Sequence, residues 1–187
     1  MARRKEIDRE KILDIAYKLA LKDGLESVTA RSIAKQGHFS TQPIYLEFRN
    51  MTSLRREVLD RITSNLQEKI LQKVYVSQPV YDLDLSYLNF ARHHRSLFSS
   101  LFVKGRFGDQ LIKDCLIKVG KDKVKEQFSD LPEPDLDCLT RFNWILVNGM
   151  AVMLVDGLLE YDQDSIVNLL DQHLNQHLKQ LRDKASE

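Results

Sequence analysis

From Ile12 to Leu181 apolar residues return every three or four positions, and no tract of this 187-residue chain settles into the period-two alternation of a half-buried strand. That period commits the backbone to amphipathic helices and predicts an all-α fold. Glycine and proline are scarce, at 7 and 4 residues, so each one present marks a specific interruption. Internal repeats and low-complexity tracts are absent from the sequence.

The first stripe, Ile12, Leu13, Ile15, Ala16, Leu19 and Ala20, predicts a helix over residues 8–22 that ends at Gly24. Thr29 is placed to N-cap a short second helix over 30–36, with Val28 stapled to Ile33. After a break at Gly37-His38 the same device returns, with Ser40 as cap and Phe39 stapled to Ile44. Pro43 falls in the first turn, where a backbone N–H has no intrahelical partner. Asn50 is placed to cap a fourth helix over 51–74, with Leu54, Val58, Ile62, Leu66 and Ile70 as its buried row.

Further along, the pattern predicts one or two helices over 81–102, another over 109–128, a loop at Leu131–Asp135, and two last helices over 136–160 and 163–182. The helix over 136–160 is apolar on several faces, which places it at a centre or in an interface. Length allows one domain or two small ones.

The net charge of +1 conceals a gradient. Residues 1–73 hold 15 Lys+Arg against 10 Asp+Glu, and residues 74–187 hold 13 against 17. A basic front suits phosphate, although ordinary drift of charge along a chain is the plain alternative. Cys115 and Cys138 stand far apart with no CxxC and no secretory leader, so reduced thiols in the cytoplasm are expected. The longest apolar-dominated run, Ile145–Val155, is too short for a membrane span.

Three short helices with a tight turn between the second and third match the helix-turn-helix plan, in which the third enters the major groove of DNA. A groove-facing side must stay polar, which accounts for Thr41, Gln42 and Tyr45 in an otherwise apolar region. The stretch ILDIAYKLALKDGLESVTARSIAKQGHFSTQPIYLEFRNMTSL, Ile12 to Leu54, resembles the DNA-binding region of the TetR-type transcriptional regulators. It shares that family's apolar first helix, glycine turn, capping Thr, "IA" pair, capping Ser, Tyr, and Phe before a capped fourth helix.

The resemblance implies a DNA-binding domain over 1–50, a connecting helix over 51–74 and an effector-binding and dimerisation domain over 75–187. It implies DNA contacts from Thr29, Arg31, Ser40, Thr41, Gln42, Pro43, Tyr45 and Arg49. By chemistry, Arg31 and the Tyr45 hydroxyl suit phosphate, Gln42 suits adenine, and Thr41 suits a thymine methyl. Arg3 and Arg4 suit a flexible arm. The chain departs from the family at His38, where Gly is common, and at Thr41 and Met51, where Lys is common, which shifts phosphate contacts toward Arg49 and Arg55.

The resemblance also implies a homodimer through the last two helices, a palindromic double-stranded DNA operator, and release by a small-molecule effector. Tyr87, Phe90, His94, Phe98, Phe102, Trp144 and Asn148 are the candidate pocket residues, with His93, Phe142 and Met153 beside them. Plain core packing is the alternative for each. Gly149 suits a close helix approach.

His173 and His177 have the i, i+4 spacing of a zinc pair, but no cysteine or HExxH glutamate accompanies them, so no metal and no cofactor is expected. No GxSxG, phosphate-cradling glycine loop or dinucleotide fingerprint occurs, so no enzyme is expected. The competing reading is an all-helical protein-interaction module without specific DNA binding.

Overall fold

A computed structural model describes residues 7–104 and 110–185. Arg3 and Arg4, the expected arm, lie outside the described residues. The elements are α1 (Arg9–Asp23), α2 (Ala30–Gly37), α3 (Gln42–Glu47), α4 (Met51–Asn65), α5 (Pro79–His93), α6 (Arg95–Phe98), α7 (Gln110–Gln127), α8 (Glu133–Val155) and α9 (Gln163–Ala185). A 3₁₀ turn at Leu25–Ser27 and π-helical turns at Leu66–Ile70 and Ser99–Val103 complete them, with no strand among the described residues. The fold is all-α.

The chain forms two compact units whose membership differs from a single cut near residue 74. The first holds the residues up to Asn65 together with the segment that begins at His94; the second holds Leu66–His93 and the residues from Gln110 on. In the first unit Ile12, Ala16 and Ala20 of α1 meet Leu54, Val58 and Ile62 of α4, all buried. Each Ile, Leu or Val side chain among them contributes about 1.5–3 kcal/mol on removal from water. The segment after His94 adds Leu97, Phe98 and Leu101 to the same core, where α6 packs on α1.

Several boundaries moved for local reasons. The α-helix expected through residue 74 ends at Asn65, and the wider turn that follows carries a Leu71 N–H to Leu66 C=O bond of 2.9 Å. An i, i+5 turn keeps Leu66 and Leu71 on one buried face. The loop expected at Leu131–Asp135 is shorter, because Glu133 opens α8 with Pro132 as its N-cap and Pro134 in the first turn. Helix α8 runs 23 residues with a mean hydropathy of 1.4 over its best window, so it is long and apolar enough to cross a membrane by length and composition alone. Its inward face, including Leu139, Val147 and Leu154, is buried inside the second unit.

In the second unit α5 and α8 each touch the other and both α7 and α9, and α5 is buried along more of its length. Against the expectation of no strand-like alternation, Tyr81–Tyr87 of α5 alternates polar and apolar residues as a strand would, yet it is helical, because residues on every face are buried. Asp82 closes the turn ahead of it, accepting from the Tyr75 and Val76 N–H groups at 2.7 and 2.8 Å.

The break between α2 and α3 is a Schellman motif. The Phe39 N–H reaches the Ala34 carbonyl at 3.0 Å and the His38 N–H reaches Lys35 at 3.4 Å. His38 supplies the left-handed residue, at φ 56° and ψ 43°. Gly37 is needed for space: a Cβ there would lie 2.0 Å from Phe39 Cε1 and 2.8 Å from Ile15 Cδ1. The two neighbours should therefore respond with opposite signs. His38→Gly is expected to raise stability by about 0.5–1 kcal/mol, and Gly37→Ala to lower it by about 1–3 kcal/mol, measured by urea denaturation.

Candidate nucleic-acid interface and ligand cavity

Helix α3 is six residues long and buries only Ile44, with Phe48 buried just after it. Too short to be stable alone, it is held from outside. Arg9 of α1 lies 4.4 Å over the Phe48 ring and binds the Glu57 carboxylate of α4 with both terminal guanidinium nitrogens. Thr29 and Ser32 form a reciprocal capping box at the start of α2, with bonds of 3.1 and 3.0 Å. Asn50 caps α4 through the Ser53 N–H at 2.8 Å.

The cap expected of Ser40 is not made: α3 begins one residue later, after Thr41, with no side-chain cap, and Pro43 sits in its first turn. Thr29, Arg31, Ser40, Thr41, Gln42, Tyr45 and Arg49 are exposed, and Pro43 is partly so. Tyr45 is 58% exposed, and Leu46, which the sequence reading passed over, is 68% exposed. An apolar side chain that much in water on a helix otherwise polar on that side is one signal that would have found it. Lys35, one turn after Arg31 on α2, was passed over too and is exposed. Among the described residues no ion pair engages Arg31, Lys35 or Arg49, which leaves three cations available to phosphate. Arg55 is occupied, its Nε donating to the Val28 carbonyl at 3.0 Å.

In the second unit a cavity of about 410 Å³ opens between α5, α7 and α8. Tyr87 and Trp144 line it, with ring centroids 5.0 Å apart. The other candidates do not line it. Phe98 is buried in the first unit's core and Phe102 packs beside it at 5.0 Å, because the chain turns at His94 and carries both away from α5. Phe90 faces elsewhere on α5, and Asn148 acts behind the wall, accepting from the Tyr87 hydroxyl at 2.9 Å. Burial pushes the Tyr87 hydroxyl well above its ordinary pKa.

The cavity's polar feature is Asp84, also passed over in the sequence. Asn143 of α8 donates to both its carboxylate oxygens, at 2.9 and 3.1 Å. Burial raises the Asp84 carboxyl to about 8, with the Asn143 bond lowering it only in part. On the outer side of α8 and α9, His177 stacks on Phe142 at 4.1 Å and 5°, with Cys138 Sγ 3.6 Å from its Nε2. His173 lies beside the same ring at 6.3 Å.

A carboxyl whose folded pKa exceeds its unfolded value of 3.8 binds its proton more tightly in the native state. Its contribution to stability is present in full below pH 3.8, falls as pH rises, and levels off above about 8. Asp84→Asn is expected to flatten that fall, which amounts to at most about 1.4 kcal/mol per pH unit. Urea denaturation of both proteins at pH 5 and pH 8 checks it, the difference between them isolating Asp84.

No protein-family model and no curated protein matches the chain. A solved structure does: a transcriptional regulator from Rhodococcus sp. Rha1, with a TM-score of 0.69, 14% identity, and coverage of 91% of this chain and 95% of that one. At that identity the likeness is one of fold.

Proposed function

We propose that this protein is a DNA-binding transcriptional regulator of the TetR type, a cytoplasmic homodimeric repressor of a palindromic operator, released when a small molecule enters the cavity of the second unit. The observation that carries the reading is the side-chain distribution on α3. Ile44 points inward, while Thr41, Gln42, Tyr45 and Leu46 stand in solvent behind a fixed turn. A helix of that size with one buried residue serves the core poorly and suits a major groove well. Leu46 joins Thr41 as a thymine-methyl contact, and Lys35 joins Arg31 and Arg49 on phosphates. The similarly folded Rhodococcus protein, itself described as a transcriptional regulator, supports the reading.

Two half-sites require two copies. The outward face of α8 supplies an apolar surface for pairing, with Ile145 72% and Met153 44% exposed. Gly149 lies between them on α8, and a Cβ there would meet nothing within 4 Å. Among the described residues nothing requires a glycine at that position, whereas a partner helix in close approach would. A ligand that fits one dimer geometry better than another shifts DNA occupancy by its differential affinity for the two, and by no more than that.

Selection of bound duplexes from a random pool tests the reading. Gln42→Ala is expected to cost about 1–3 kcal/mol and relax preference at one base position per half-site. Arg31→Ala should instead weaken all duplexes alike and lower the salt slope by about one. A pool that returns unchanged base preference for Gln42→Ala contradicts the assignment of α3. Gly149→Leu, which has open space in the single chain, is expected to yield folded monomer in sedimentation; an unchanged dimer would remove α8 from the interface.

A further inference from the structure

The cavity between α5, α7 and α8 has walls of one chemistry and a pole of another. Leu83, Leu116, Val124 and Val147 make its sides, and Tyr87 and Trp144 make an aromatic wall. At the pole both Asp84 oxygens share a single protein donor, the Asn143 amide NH₂, and Oδ1 of Asn143 has none. Asn143 is 6% exposed and Asp84 3%, and Asn143 Oδ1 is buried without any hydrogen-bond partner. An orphaned buried acceptor is costly, and here it stands beside a carboxylate with no cation bonded to it. We propose that the cavity takes a lipophilic protonated primary or secondary amine, whose ammonium hydrogens bond the Asp84 carboxylate and Asn143 Oδ1 while its apolar body fills the space against Tyr87 and Trp144. The proposal rests on the cavity being the ligand site of the proposed regulator and adds the class of ligand.

Each component of the pole selects. A carboxylic acid ligand would set two carboxyls together in an apolar enclosure. An alcohol offers one donor and no charge. A quaternary ammonium offers charge without donors and leaves Asn143 Oδ1 unpaired. A primary ammonium offers three donors and a positive charge, and it can lie near the faces of both rings.

Protonation follows from the same geometry. The carboxyl of Asp84 titrates at about 8, so below that pH the ligand-free site holds a neutral acid, and docking of an ammonium releases that proton to solvent. Few other charges bear on it. Among the described residues the one cation lining the cavity is Arg141 on exposed α8 surface, α7 presents Leu116, Ile117, Gly120 and Val124, and on α9 Asp171 accepts from the Tyr81 hydroxyl at 2.9 Å. Amine affinity should rise about tenfold per pH unit between pH 6 and 8 and then level off.

Trp144 is the only tryptophan in the chain and reports occupancy by its fluorescence. The full-length protein would be titrated at pH 8 with 4-phenylbutylamine, 4-phenylbutanol, 4-phenylbutyrate and trimethyl(4-phenylbutyl)ammonium. The primary amine is expected to bind at least about tenfold more tightly than each of the other three, the size of one charge-assisted hydrogen bond. Asp84→Asn should erase its preference over the alcohol. Equal binding of amine and alcohol, tighter binding of the acid, or a quaternary ammonium as tight as the primary amine overturns the ammonium assignment and leaves the cavity a ligand site. Absence of a response to all four overturns both. Because the four ligands are compared on the unaltered protein, the outcome does not depend on the variant folding.

Discussion

A six-residue helix cannot hold its own shape in water, and the first unit is arranged around that constraint. Helix α3 is fixed at its start by the Schellman turn on His38 and at its end by the burial of Phe48. Arg9 joins the second of these anchors to α4, lying over Phe48 and binding Glu57. With both ends fixed by other elements, α3 is free to spend its remaining side chains on solvent or on a partner. The left-handed residue and the close-packed glycine are adjacent in sequence but answer different needs, one of backbone and one of space.

The second unit solves a different problem. Helix α5 is buried around its whole circumference, so each polar group on it needs a partner from another segment. Asp82 finds the backbone of the preceding turn, Tyr81 finds Asp171, and Tyr87 finds Asn148. Asp84 finds only Asn143, whose own carbonyl oxygen is then left over. Ser86 Oγ on α5 is likewise buried without a partner, and it is the incomplete satisfaction at Asp84 and Asn143, beside a cavity, that gives the second unit its chemistry.

Much of the fold was legible because it is locally encoded. The apolar stripe of α1, the cap at Thr29, the cap at Asn50 and the apolar row of α4 each follow from residues within a turn or two of one another. The exposed set on α3 followed from the same logic, since a polar residue beside a buried Ile44 has few other uses. Which segment packs on which is not local. Phe98 and Phe102 read as pocket residues because aromatic character signals burial without saying in which core, and only the turn at His94 sends them to the first unit. Asp84 went unseen for the converse reason: a carboxylate in a stretch that alternates polar and apolar residues carries no local mark of burial. The cap expected of Ser40 likewise depends on where the Schellman turn lets α3 begin, which is after Thr41 and without a side-chain cap.

On the proposed function, the exposed face of α3 reads base sequence, with neighbouring cations gripping the backbone. The most direct measurement is a titration of the protein against its selected duplex and a scrambled duplex of equal length across a salt series. The expected result is a selected complex at least about 10³-fold tighter at physiological salt, two protein chains per duplex, and affinity for both DNAs falling linearly in log–log form with salt. Equal affinity for the two duplexes at every salt concentration would contradict it.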